Sequence, residues 1–164
     1  MSRALVTGIG VVAPNGVGVE EYWSATLAGK SGLRTLAHLE SAGYPLRVGG
    51  VADAFVALQH LPGRLVAQID RWTALGLAAA SAAFEDAGLE PSSLSGYDLG
   101  VLTASSSGGN EFGQREIERL WSQGPQFVGA YQSIACLPSA QWIWSARMSA
   151  LLIRFTSAGA EFAG

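Results

Sequence analysis

The chain has 164 residues, of which 49% are hydrophobic and 14% charged, and its formal net charge at pH 7 is -3. This apolar fraction excludes an intrinsically disordered chain, and the length fits one domain at most. The ten basic residues are scattered and fewer than the acidic ones, so we expect neither a nucleic acid nor a membrane surface as a partner. The single cysteine, Cys136, cannot form an internal disulfide, which indicates a reducing, cytoplasmic location.

The first element predicted is a buried strand at residues 3–7, followed by glycines that match a G-x-G-x-x-A dinucleotide fingerprint at residues 8–13. In such a fingerprint a helix must begin directly after the glycines, because its N-terminus faces the pyrophosphate. Here Pro14, Asn15 and Gly16 follow, and this is a turn sequence. The run therefore predicts a turn, not a nucleotide site. Close backbone packing is expected from the composition, which is rich in alanine and contains 21 glycines.

Further along the chain, the hydrophobic pattern alternates between helix and strand and predicts an α/β fold. Asp70 stands where a helix N-cap belongs, and Gly88 stands where a left-handed C-cap belongs. The predicted elements are a helix at 19–28, an irregular stretch at 33–68 with at most one short strand, an alanine-rich helix after Asp70, a buried strand at 98–103, a small-residue turn at 104–109 and a helix at 111–121 that ends before Gly124 and Pro125.

Three residues near the start of the last helix are predicted to share one face. Asn110, Gly113 and Ile117 are spaced three and four residues apart, and the glycine leaves room beside the helix. Two interpretations remain open. The face borders a space that a ligand uses, or Gly113 only lets another backbone approach.

No residue indicates catalysis by itself, and we assign no catalytic or metal-binding residue. Cys136 precedes Pro138, which can open a helix, but a lone cysteine is more often a small buried hydrophobic residue. His38 and His60 are predicted to be partly buried structural side chains rather than its base. The serines at 105–107 lack the G-x-S-x-G pattern and predict a tight turn.

Several segments together resemble the N-terminal half of a β-ketoacyl synthase. They are residues 6–16, 22–23, 62–64, 97–101, 103–109 and 115–125. The segment Arg115 to Pro125, with its Leu-Trp-Ser-x-Gly-Pro ending, and residues 131–135 are similar more narrowly to the chain-length factor. This is the ketosynthase β subunit of type II polyketide synthases, which act in polyketide antibiotic biosynthesis.

The resemblance implies a thiolase-like fold, an α/β/α/β/α sandwich of which this chain holds only an incomplete N-terminal portion. It also implies a heterodimer with the catalytic ketosynthase α subunit, which condenses malonyl units on an acyl carrier protein. The phosphopantetheine of that carrier is the implied cofactor, and none is bound directly by the β subunit, which lacks the nucleophile. Asn110, Gly113 and Ile117 match the family's tunnel-lining positions, and the small groups at two of them predict a long product.

The family pattern runs through residues 1–135, and residues 136–164 depart from it. A divergent tail, a frameshift or a truncated gene would each give this pattern. The family's catalytic histidines belong to its second half, so no complete condensing site is expected here. The alternatives to a chain-length factor are a β-ketoacyl synthase fragment that uses Cys136 as its acyl-accepting thiol, and a remnant without function.

Overall fold

The computed structural model describes residues 4–43, 45–90, 93 and 109–129. Expectations for the strand at 98–103, the turn at 104–108 and everything from residue 130 onward, Cys136 included, lie outside these residues. In chain order the described elements are β1 (Val12–Ala13), β2 (Gly16–Val17), α1 (Val19–Leu27), β3 (Leu33–Thr35), α2 (Ala37–Ser41), β4 (Val48–Gly50), α3 (Ala57–His60), α4 (Gly63–Val66), α5 (Arg71–Asp86), α6 (Asn110–Gln123) and a 3-10 helix (Pro125–Phe127).

The turn predicted after the glycine-rich run is confirmed. Strands β1 and β2 pair antiparallel, with Val12 opposite Val17 and Ala13 opposite Gly16, so that Pro14 and Asn15 form the connection. Helix α1 begins only after this hairpin. A helix N-terminus therefore does not lie where a dinucleotide fingerprint needs it.

The glycines of the fingerprint-like run pack against α5. A Cβ on Gly10 would overlap the carbonyl oxygen of Ala79, and a Cβ on Gly8 would lie 2.7 Å from the Cβ of Ala87. The backbone N–H of Ile9 donates to the carboxylate of Asp86 at 2.9 Å. The expected close backbone packing is confirmed, because small residues on both sides let the segment lie directly on the helix.

The strand predicted at residues 3–7 is wrong over its described part. Residues 4–7 have no regular secondary structure, and the side chains of Leu5 and Val6 are 81% and 83% exposed. A strand requires a hydrogen-bonded neighbour, and none of the described strands pairs with this segment. Only the glycine-rich continuation gains a packing partner, on α5.

Helix α5 confirms its predicted caps. The Asp70 carboxylate accepts the backbone N–H of Trp72 at 3.2 Å, and Gly88 has the left-handed φ of +61° just after the helix end. The helix carries one side of the main apolar cluster, which consists of Phe55, Leu61, Leu65, Ile69, Ala74, Leu77 and Ala78.

The expectation of at most one short strand between residues 33 and 68 is wrong. Strands β3 and β4 form an antiparallel pair in which Leu33 lies opposite Gly50 and Thr35 opposite Val48. The short helices α2, α3 and α4 occupy much of the rest. Three-residue strands with mostly exposed side chains show no apolar alternation, so the sequence pattern could not indicate them.

We expect Gly10→Ala to lower the free energy of unfolding by about 1–3 kcal/mol, because the added methyl must displace the α5 backbone. Urea unfolding followed by helix circular dichroism measures this. Gly63→Ala is the matched control, since its new methyl would lie 3.6 Å from Leu58, an ordinary contact. Equal effects of the two substitutions would contradict the packing of this segment on α5.

Candidate functional site

Helix α6 carries the candidate site, and a glycine stands at each of its two caps. Gly109 precedes it with a left-handed φ of +74°, and its carbonyl accepts the N–H of Gly113 at 2.9 Å. Gly124 follows it with a φ of +104°, a conformation that favours glycine, and Pro125 then begins the 3-10 helix. The predicted helix and its Gly-Pro stop are both confirmed.

The helix brings Asn110, Gly113 and Ile117 onto one face. At about 100° per residue their side-chain directions fall within an arc of about 60°. Asn110 is exposed, Gly113 is half-buried and Ile117 is 51% exposed. The face therefore presents an amide, a gap and one aliphatic side chain.

One ion pair of α6 lies away from this face, and the other borders it. Arg115 pairs with Glu111 one turn earlier, and Arg119 pairs with Glu116 at 2.6 Å. Helical geometry directs Glu111 and Arg115 to the far side of the helix from Gly113, whereas Glu116 lies one turn after Gly113 with its carboxylate buried and paired. The three positions of the face are themselves uncharged.

Sequence reasoning missed the role of Glu116. Its side chain is buried, and its carboxylate binds Arg119 and also accepts the backbone N–H of Gly129, beyond the 3-10 helix. This carboxylate therefore ties the segment after Pro125 back onto α6. The three-residue spacing of Glu116 and Arg119 indicates their ion pair. No sequence pattern indicates that the chain returns to place Gly129 against Glu116.

A groove of about 220 Å³ lies on the other side of α6, against α5. Its lining residues are Ala57, Val66, Ile69, Asp70, Arg71, Ala74, Glu111, Phe112 and Arg115. The α6 members of this set point away from Gly113 by helical geometry. The groove is therefore separate from the face of Asn110, Gly113 and Ile117.

The histidines differ from expectation. His38 and His60 are both exposed rather than partly buried, and the His60 ring stacks on Phe55 with 5.2 Å between ring centroids. Over the residues that the structure describes, no group of three or more His, Cys, Asp or Glu side chains could hold a metal ion. None of the helices in that part of the chain is long and apolar enough to span a bilayer.

A family model described as the N-terminal domain of β-ketoacyl synthases matches residues 1–153. The chain belongs to the β-ketoacyl synthase family. Among its relatives, the ketoacyl synthase β subunit of the tetracenomycin polyketide synthase from Streptomyces glaucescens is 53% identical over 150 residues. That match covers 92% of this chain and 35% of the relative, so the chain spans about a third of the relative's length. The expected resemblance to the ketosynthase β subunit is confirmed.

Solved structures confirm the thiolase-like ketosynthase fold of this β-ketoacyl synthase chain. One is a type II polyketide synthase acyl carrier protein in complex with its ketosynthase bound to the hexaketide, with a TM-score of 0.69 and 23% identity over 88% of this chain and 38% of that chain. Another is the ishigamide ketosynthase/chain length factor, with a TM-score of 0.60 and 23% identity over 86% of this chain and 36% of that chain. The matched part is a portion of a larger layered fold.

We expect Glu116→Ala to lower the free energy of unfolding by about 1.5–3 kcal/mol, because two hydrogen bonds to a buried carboxylate are lost. Amide hydrogen exchange at Gly129 should also become faster. Glu118→Ala is the control, since it makes the same change at an exposed position of the same helix. If Gly129 exchanges at the same rate in both variants, Glu116 does not hold this segment.

Proposed function

We propose that the chain acts as a chain-length factor-like subunit of a type II polyketide β-ketoacyl synthase. In this role it pairs with the catalytic ketosynthase α subunit and shapes the tunnel that receives the growing chain during malonyl condensation on an acyl carrier protein. The 53% identity to the tetracenomycin β subunit supports the assignment. The fold match to a ketosynthase solved with an acyl carrier protein and a hexaketide agrees with it.

The observation that carries the proposal is the glycine position on the α6 face, flanked by the uncharged side chains of Asn110 and Ile117. A tunnel for a polyketide needs a wall without charges, since a buried unpaired charge would be costly beside an acyl chain. None of Asn110, Gly113 and Ile117 is charged, and the neighbouring carboxylate of Glu116 is buried and paired with Arg119. Gly113 provides an unfilled position between two side chains.

A tunnel ends where side chains fill it, so the residue at position 113 bears directly on product length. Gly113 and Ile117 lie about 6 Å apart along the helix axis. With no side chain at the first of these positions, the growing chain can pass it and reach the level of Ile117. We therefore infer that the assembled complex makes a longer polyketide than one with an aromatic side chain at position 113.

Catalysis in this proposal belongs to the α subunit. The described residues of this chain supply a wall, and the phosphopantetheine arm of the carrier protein delivers the acyl group to the partner. A cytoplasmic location is part of the proposal, supported by a single cysteine in 164 residues. The proposal divides the chain into a family-like region at residues 1–135 and a divergent tail at residues 136–164. The family model itself extends into this tail, to residue 153.

We expect Gly113→Phe to shorten the polyketide. The test uses a chimera in which this chain replaces the matched part of the Streptomyces glaucescens β subunit, expressed with the α subunit and the acyl carrier protein. Mass spectrometry of the released products measures the change. The phenyl ring would fill the open position on the α6 face, so the distribution should move by at least one condensation unit.

Glu118→Phe is the matched control, because it adds the same ring to α6 outside the site face. Product length should then stay as in the parent chimera. An unchanged product from Gly113→Phe would reject the tunnel role of α6. Failure of the parent chimera to co-purify with the α subunit would reject the pairing itself.

A further inference from the structure

Glu116 is a buried acid that the proposed tunnel wall does not yet account for. Its side chain is 4% exposed, whereas that of Arg119 is 52% exposed. The two carboxylate oxygens have different partners, since Oε1 accepts from the Arg119 guanidinium at 2.6 Å and Oε2 accepts the backbone N–H of Gly129. A buried carboxylate requires such donors, because leaving it unpaired is costly. One side chain thus joins α6 to a backbone amide 13 residues further along the chain.

The bond to Gly129 continues the hydrogen bonds that turn the chain after α6. The N–H groups of Phe127 and Val128 donate to carbonyls three residues earlier, at 3.2 and 3.3 Å. These bonds are local and form the 3-10 helix. The next N–H, that of Gly129, donates instead to Glu116. The carboxylate therefore receives the chain where its local bonds end and holds it alongside α6.

The segment at residues 125–129 has little burial of its own to hold it in place. None of its five residues is buried, and Phe127 is 52% exposed. A segment with few buried apolar contacts opens locally at a low free-energy cost. Within the described part of the chain, the bond to Glu116 therefore carries the position of this segment relative to α6.

Helical geometry places this bond beside Gly113. Glu116 is three positions after Gly113, so its side-chain direction is rotated by about 60° and lies about 4.5 Å further along the axis. The directions of Asn110 and Ile117 lie on the other side of Gly113. The open position is therefore flanked by these two side chains on one side, and by Glu116 with its bound segment on the other.

We infer that Glu116 is a positioning residue for product length. By holding residues 125–129 against α6, its carboxylate fixes the width of the space beside Gly113. The inference rests on the proposed tunnel role of α6 and adds a residue that acts through another segment rather than by contact with the polyketide. A wall segment that is no longer held adopts several positions, so loss of the bond should give products of mixed length rather than one shorter product.

The test uses the same chimera with the Streptomyces glaucescens β subunit, expressed with the α subunit and the acyl carrier protein. Glu116→Ala removes both contacts, and mass spectrometry should then detect products spread over at least one further condensation unit. Hydrogen exchange of the peptide that contains Gly129 should become about tenfold faster in the purified complex, because one hydrogen bond to a charged group is lost.

Glu116→Gln is the conservative variant that should rescue both measurements. Its amide keeps one oxygen, which can accept from Gly129, while the half-exposed Arg119 can turn to solvent. Product length and exchange should therefore stay close to those of the parent. Glu118→Ala is the matched control, since it makes the alanine substitution at an exposed position of the same helix.

Glu116→Asp replaces Glu116→Ala if the alanine variant does not co-purify with the α subunit. Its shorter side chain keeps the charge but cannot reach Arg119 and Gly129 together, so the same spread of products is expected.

Two results would overturn the inference. One is an unchanged product from Glu116→Ala, or from Glu116→Asp in its place, in a complex whose product Gly113→Phe does shorten. The other is an equal spread of products from Glu116→Gln and Glu116→Ala, because the bond to Gly129 would then not be the cause. An unchanged product from Gly113→Phe is a different result, since it rejects the tunnel role itself.

Discussion

The contact between the N-terminal glycines and helix α5 determines how the other described elements are arranged. Gly8 and Gly10 lie on the backbone of α5 because neither residue has a side chain and the helix presents alanines there. This contact, with the bond from Ile9 to Asp86, fixes the start of the β1–β2 hairpin. The hairpin then sets the direction of α1. At its other end, α5 begins at Asp70 beside the core cluster and faces α6 across the groove.

The parts of the fold that the sequence predicted are those with local causes. Helix α5 was predictable because Asp70 can cap it and Gly88 can adopt a left-handed φ, and both do so. Helix α6 was predictable from its stop at Gly124 and Pro125. The pairing of the mostly exposed strands β3 and β4 has no such local cause. It depends on contacts between residues that are separated along the chain, such as Leu33 and Gly50. The same holds for the buried Glu116, whose second partner, Gly129, lies outside the helix.

The candidate site could be predicted from the sequence only in part. Spacing alone predicted that Asn110, Gly113 and Ile117 share a face, and helix α6 confirms this arrangement. Spacing does not distinguish a face that accepts another backbone from one that borders a ligand, because glycine serves both purposes. Family resemblance supplied the choice between them. The exposed state of Ile117 agrees with the proposed open wall, and the carboxylate that borders Gly113, that of Glu116, is buried and paired with Arg119.

The α6 face differs in chemistry from the exposed apolar side of α1. On α1, Val19, Trp23 and Leu27 are spaced four residues apart, and their large apolar surfaces favour a contact that stays buried. The α6 face offers little apolar area, since one of its three positions is glycine and another is an amide. Such a face suits the proposed tunnel wall, along which a chain of changing length would have to move. A permanent interface there would need larger side chains, and those same side chains would close the space that the proposed tunnel requires.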